Sequence, residues 1–161
     1  MRAEGAREEG AGTRAVARAP SSELPEGRLI QALHQEVGEG AALLYLHGST
    51  ARGETHRDSD LDLAVLLDWK AFPTRLARSE ARVGLLSAFM AATGRNDVDL
   101  VVLNDVTPIL ARSVVTEGRL LFCRNPDEEL AFRTKTLLMA IDLEIFLAKF
   151  RSMKLQKAQE P

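Results

Sequence analysis

The sequence lacks the features that mark several large classes of protein. It has one cysteine, Cys123, so no internal disulfide can form, which suits a reducing compartment. No apolar run approaches the roughly 20 residues that cross a bilayer, and residues 1–20 lack the apolar centre of a signal peptide. Basic residues are not in excess either, and a net charge of -2 argues against direct nucleic-acid binding. These absences predict a cytoplasmic protein with no membrane partner.

What remains is the composition of an ordinary folded protein. Hydrophobic residues make up 45% and charged residues 27% of 161 residues, which is enough chain for one domain with a core. Residues 1–20 are the exception, because they are mostly alanine, glycine, arginine and glutamate and hold too little apolar surface to offset the entropy of ordering. We therefore expect a disordered tail over 1–20 and a single domain over 21–161.

Four segments have the apolar spacing or the end signals of helices. The first two carry these candidates for a buried face: Leu29, Ile30, Leu33 and Val37 in 21–40, and Leu76, Val83, Leu86, Phe89 and Met90 in 72–92. Thr107-Pro108 opens a third helix, which Gly118 ends. A long last helix is predicted at about 126–154, with acidic residues near its positive end.

Four short apolar runs are typical of buried strands, at 41–47, 61–67, 97–104 and 118–124. Strands that alternate with helices along the chain predict an α/β (α+β) fold, in which helices flank a sheet. Because only a polar loop joins the first two strands, these strands can pair directly. We expect a mixed, mostly antiparallel sheet of about four strands.

Two aspartates stand at the start of the second strand, in the stretch HGSTARGETHRDSDLDLAVLL. Residues two apart on a strand point to the same face, so Asp60 and Asp62 project together, roughly 6 to 7 Å apart. Carboxylates that close repel each other and need a counter-charge. Mg²⁺ suits such a site, because it binds through one or two carboxylates and completes its shell with water and substrate phosphate.

Two further features extend this pattern. In DVDLVV, Asp97 and Asp99 share a face, and Asp99 can join Asp60 and Asp62 if the third strand lies beside the second, whereas Asp97 is expected at the turn. Three carboxylates are enough for a two-metal site. At the end of the first strand, Gly48-Ser49 offers free backbone N–H groups and a hydroxyl to an anion, within reach of Arg52. Together these residues predict a site for a nucleoside triphosphate.

Gly48-Ser49 followed after ten residues by Asp60-Leu61-Asp62 resembles the signature of the DNA polymerase β-like nucleotidyltransferase superfamily. Over residues 41–150 the chain looks like the minimal nucleotidyltransferases, which are the antitoxin partners of HEPN toxins. The resemblance implies that Asp60, Asp62 and Asp99 bind two Mg²⁺ ions. It also implies that Asp99 helps to activate the acceptor and that Gly48 and Ser49 hold the triphosphate of ATP. The implied reaction transfers AMP to a tyrosine hydroxyl of a HEPN-type toxin.

The rest of the sequence indicates what kind of molecule accepts the AMP. After the sheet elements the chain has only one long helix, so an acceptor protein has to bring its own binding surface. That helix has apolar residues on two adjoining faces, which either pack into a wide core or await a partner. Two alternatives stay open: an antitoxin that acts by binding alone, and a small-molecule nucleotidyltransferase of the aminoglycoside-modifying type.

Overall fold

The structure is a computed structural model and describes residues 24–48 and 60–158, with the backbone alone for 155–158. The helices in chain order are α1 (Glu26–Val37), a 3₁₀ turn (Gly38–Gly40), α2 (Arg75–Thr93), α3 (Pro108–Glu117) and α4 (Pro126–Ala158). The strands are β1 (Ala41–His47), β2 (Leu61–Leu67), β3 (Val98–Val102) and β4 (Arg119–Cys123). The predicted disordered tail, 1–20, lies outside the described residues.

The four strands form one sheet in the order β3-β2-β1-β4. β1 pairs antiparallel with both β2 and β4, and β2 pairs parallel with β3, so the predicted mixed, mostly antiparallel sheet is confirmed. β1 and β2 occupy the centre and are covered on both faces. This explains why both read as nearly continuous apolar runs rather than as alternating patterns.

Helices cover both faces of the sheet, and the alternation of side chains along β2 assigns residues to each layer. The odd-numbered residues from Leu61 to Leu67 pack with α1 and α2. The even-numbered residues Ala64 and Leu66 pack with α3 and with Phe132 of α4. Asp62 therefore belongs to the face that α3 and α4 cover.

The second helix differs from the prediction in its start and in its buried face. Helix α2 begins at Arg75 because the Thr74 hydroxyl accepts the Ala77 N–H at 3.1 Å and caps it. Leu76 and Val83 are 69% and 64% exposed, so their predicted places in the core are wrong. The predictions for Phe89, which is buried, and for Leu86 and Met90, which pack against the core, are confirmed. The other buried positions of α2 are Arg78 and Leu85.

Arg78 occupies a core-facing position because a distant partner compensates its charge. Its guanidinium donates to both carboxylate oxygens of Asp105, at 2.7 and 2.8 Å, and to the Phe72 carbonyl at 2.9 Å. The same guanidinium stacks 4.6 Å from the centre of the Trp69 ring. These contacts attach the start of α2 to the loop that follows β3.

Helix α4 packs against the rest of the fold along a narrow strip. Of its described side chains only Thr136 and Ala140 are buried, while Leu138, Ile145 and Phe146 are 50–62% exposed. The apolar residues of α4 therefore do not form a wide core-facing stripe. No helix in the described part of the chain is long and apolar enough to cross a membrane.

Candidate active site

The register of the sheet brings three polar residues into one row. His47 at the end of β1 is the partner of Asp62 in the antiparallel pair, and Asp62 is the partner of Asp99 in the parallel pair. Neighbouring strands are about 4.7–4.9 Å apart, so the row spans three strands within roughly 10 Å. Asp60 stands one residue before β2 and has the same parity as Asp62. The third strand thus lies beside the second, which is the condition on which Asp99 was expected to join the aspartates of β2.

Gly48 forms the boundary of this row at the end of β1. Its φ of +73° lies in the left-handed region, which side chains rarely adopt. A Cβ atom at this position would lie 2.1 Å from Oδ2 of Asp62. Only glycine lets the backbone leave the strand this close to the carboxylate.

The charges in the row act on one another. Burial raises the pKa of Asp62 above its ordinary value, and nearby His47 partly offsets this rise. The carboxylates of Asp99 and Asp60 raise the pKa of Asp62 further. Holding Asp62 ionised therefore has a cost, which an added cation would lower.

Asp99 is held at the outer edge of the sheet by two donors. Its Oδ1 accepts the Leu100 N–H at 2.8 Å and lies 3.5 Å from Nη2 of Arg82. Arg82 also donates from Nε to the Leu100 carbonyl at 2.5 Å. The Asp99 side chain is 63% exposed, so a molecule in solution can reach it. Across residues 24–48 and 60–158, no three His, Cys, Asp or Glu side chains converge as a metal-binding group.

The remaining predicted residues are placed as follows. Ser49 and Arg52 lie outside the described residues, so their role in holding a triphosphate stays a prediction. Asp97 lies at the turn, as predicted, where it accepts a hydrogen bond from Arg95 at 2.9 Å and its carbonyl accepts the Leu61 N–H. The reasoning from sequence missed the pairing of His47 with Asp62.

The sequence contains a signal for the pairing of His47 with Asp62, but none for the contact of Arg82 with Asp99. His47 directly precedes Gly48 at the end of a strand, and Asp62 is the second residue of the next strand, after the loop. If a hairpin closes in register, these two residues must face each other. Arg82 reaches Asp99 across 17 residues and from another element, so only the packing of α2 on β3 reveals the contact.

Comparison with known proteins gives this arrangement a context. The model of the family described as polymerase beta, nucleotidyltransferase, matches residues 29–127. The chain is also similar to the protein adenylyltransferase MntA of Shewanella oneidensis. The two are 37% identical over 121 residues, which are 73% of this chain and 78% of that protein.

Solved structures show the same similarity in three dimensions. A chain of a toxin–antitoxin crystal structure with AMP-PNP matches with a TM-score of 0.59 and 31% identity, over 85% of this chain and 100% of that one. A chain of the tri-AMPylated Shewanella oneidensis HEPN toxin in complex with MNT antitoxin matches with a TM-score of 0.52 and 30% identity, over 84% and 96%. The protein described here belongs to the polymerase beta nucleotidyltransferase family.

Proposed function

We propose that this protein is an antitoxin that transfers AMP from ATP to a tyrosine hydroxyl of a cognate HEPN-type toxin and thereby neutralises it. The observation that carries the proposal is the pair of carboxylates, Asp62 and Asp99, at the end of the sheet where β2 and β3 begin. The backbone of Gly48 lies directly against Asp62. The similarity to the MntA adenylyltransferase and to toxin–antitoxin structures supports both the reaction and the partner.

The three carboxylates and the residues that follow β1 each have a proposed role. Asp60 and Asp62 hold divalent metal beside the phosphates, and Asp99 holds metal and receives the proton of the acceptor hydroxyl. Gly48, with Ser49 and Arg52, holds the triphosphate. The exposure of Asp99 supports an acceptor that arrives on another protein, since no described segment of this chain covers that carboxylate.

The donor set fits Mg²⁺. Asp60, Asp62 and Asp99 supply oxygen ligands from one side of the sheet, and burial, with a smaller contribution from the charges of Asp99 and Asp60, raises the pKa of Asp62. When bound, Mg²⁺ neutralises phosphate charge and polarises the phosphoryl group that is transferred. For Asp99 to join the other two carboxylates, its contact with Arg82 has to open.

The bonds exchanged are those of a nucleotidyl transfer. The tyrosine oxygen forms a bond to the α-phosphorus of ATP, and the bond from that phosphorus to the pyrophosphate oxygen breaks. Pyrophosphate leaves with the electron pair, and the hydroxyl proton passes to the Asp99 carboxylate. Because the HEPN toxin of the similar complex is tri-AMPylated, we further propose that this chain adds more than one AMP unit to its partner.

The test uses the purified chain with its proposed HEPN-type partner, Mg²⁺ and labelled ATP. We expect label on a tyrosine of the partner with the wild type, and none with Asp60→Ala or Asp62→Ala. If these variants neutralise the partner in cells as well as the wild type does, the protein acts by binding alone. Transfer to an aminoglycoside without any protein partner would instead support a small-molecule enzyme.

A further inference from the structure

Helix α4 continues past the part of the fold on which it packs. Glu144 is still tied to Arg112 of α3 by an ion pair of 2.7 Å. Every side chain after it, from 145 to 154, is exposed. The stretch from 145 to the helix end at Ala158 is roughly 20 Å long. Because a helix of this length draws most of its stability from packing of an apolar face, this stretch needs a surface to pack on.

One stripe of α4, the seam, has the spacing of a coiled coil. Its members are small or apolar and recur at alternating intervals of three and four residues: Ala131, Thr134, Leu138, Ile141, Ile145, Ala148 and Ser152. The three largest of them are 49–59% exposed. At about 100° per residue, the seam is centred roughly 150° around the helix from the buried Thr136 and Ala140. The seam therefore points away from the domain and is open to a second helix.

The charges beside the seam favour an antiparallel copy of the same helix as that second helix. An antiparallel pair can place Leu138 opposite Ile141 of the second copy. In this register Lys135 lies beside Asp142 of the second copy, and the two-fold symmetry repeats the ion pair. Neither of these two side chains has an ion pair or hydrogen bond with any residue of 24–48 and 60–158. Both charges are thus available for a partner.

Other antiparallel registers bring like charges together. In the favoured register Lys149 lies beside Glu128 of the second copy, a carboxylate that Arg124 also binds. A shift of one heptad in one direction places Asp142 beside Asp142, and Lys135 beside Lys149. The opposite shift places Lys135 beside Lys135, and Asp142 beside Glu128. Only the unshifted register pairs opposite charges at both positions.

A parallel pair of copies has less support. It places Lys135 and Asp142 beside leucines rather than opposite charges. Its one favourable ion pair, between Glu144 and Lys149, uses a carboxylate that Arg112 already binds. An antiparallel pair also keeps the two domains at opposite ends, because each domain packs on the first half of its own helix.

We propose that two copies of this chain form an antiparallel dimer along the seam of α4. The projecting end of each helix then packs on the outer side of the domain-bearing half of the other. The two-fold axis makes the contact self-complementary, so the assembly closes at two copies. This inference goes beyond the proposed function, because no step of the AMP transfer depends on it.

The first experiment measures the dissociation constant of the dimer. The full chain alone is examined by sedimentation equilibrium from about 1 to 100 µM. We expect a reversible dimer, which Ile141→Glu should weaken at least about a hundredfold, because two carboxylates then lie in the seam without a counter-charge. Phe146→Glu, at a more exposed position outside the seam, is the matched control and should keep the wild-type constant.

Charge reversal tests the register. Lys135→Glu and Asp142→Lys should each raise the dissociation constant roughly tenfold, since each places like charges side by side twice in the dimer. The double variant Lys135→Glu/Asp142→Lys restores opposite charges and should return to within about threefold of the wild type. A double variant as weak as the single ones would overturn the register and with it the inference.

A distance measurement tests the direction of the two helices. A nitroxide is attached to Met153→Cys, outside the seam, in a Cys123→Ser background, and pulsed electron paramagnetic resonance gives the distance between the two copies. The proposed pair separates the labels by roughly 40 Å along the axis, whereas a parallel pair holds them side by side on helices about 10 Å apart. Labels found side by side would overturn the inference.

Two outcomes of the sedimentation experiment would also overturn it. One is a wild type that stays monomeric over the whole range, and the other is a dimer that Ile141→Glu leaves intact. If the wild type is monomeric and Ile141→Glu instead loses binding of the HEPN-type partner, the seam belongs to that partner and not to a second copy. AMP transfer by the wild type is measured separately, so its failure would refute the proposed function and leave the dimer standing.

Discussion

Replacing Gly48 with alanine tests the contact between the end of β1 and the carboxylate row. The substitution has two separable effects. A side chain at a φ of +73° is strained, and the added Cβ would lie 2.1 Å from Oδ2 of Asp62. That oxygen is the free end of a side chain, so the carboxylate can turn away, but it then leaves the position that the row gives it.

The strain has a size that can be estimated. A non-glycine residue in the left-handed region costs roughly 1–2 kcal/mol. For a chain of this length each kcal/mol corresponds to roughly 2–4 °C, so Tm should fall by about 2–8 °C. The loss of activity should be much larger, on the order of 100-fold, because a displacement of about 1 Å at a reacting group has an effect of that size.

Gly94 offers a matched control within the same chain. Its φ is +67°, almost that of Gly48, and a Cβ there would meet nothing within 4 Å. Gly94→Ala should therefore lose a similar amount of stability and keep the wild-type rate of AMP transfer. Thermal unfolding gives the first quantity, and transfer of labelled AMP to the partner, below both melting temperatures, gives the second.

Two results would refute this reasoning. Wild-type transfer by Gly48→Ala would mean that the position of the Asp62 carboxylate does not matter for the reaction. Equal losses of transfer in Gly48→Ala and Gly94→Ala would mean that the loss reflects backbone strain alone. Only a loss of activity confined to Gly48→Ala agrees with the geometry.

Two further predictions concern stability. The pKa of Asp62 is raised in the folded protein. The folded protein is therefore most stable at a pH where Asp62 is protonated, and its stability falls as the pH rises through the raised pKa. Asp62→Asn should thus raise the Tm of the protein in chelator at neutral pH, and the gain should vanish below about pH 4; a gain that persists in acid would contradict this. Phe89→Ala in the core should cost about 3–5 kcal/mol in denaturant unfolding, whereas Phe146→Ala, at a site that is 62% exposed, should change it by no more than about 0.5 kcal/mol. Equal costs would disprove the exposure of α4.

Much of the fold follows from local patterns. The predicted bounds of β1 and β2 agree with the structure because both strands are apolar runs with a sharp polar border. The buried face of α2 followed only in part: Phe89 was predicted, but Arg78 stands where the apolar period requires a hydrophobic residue. Its partner Asp105 is 27 residues away and belongs to another element, and no local pattern contains that information.

The candidate site, like the fold, could be predicted from the sequence only in part. The alternation of side chains along a strand predicted that Asp60 and Asp62 share a face, and the structure places Asp99 beside Asp62. The pairing of His47 with Asp62 depends on strand register, and the contact of Arg82 with Asp99 depends on the packing of α2. They could be found only once the elements had been assembled.

The parallel pairing of β2 and β3 has a consequence for how such sites can vary among related proteins. Asp62 and Asp99 meet because both stand near the beginning of their strands, and two parallel strands in register begin at the same edge. The chain between the two strands, with all of α2, can therefore lengthen or shorten without separating the carboxylates. A motif written as a fixed residue spacing will miss the third carboxylate in relatives with a different connection, whereas a search by strand position will find it.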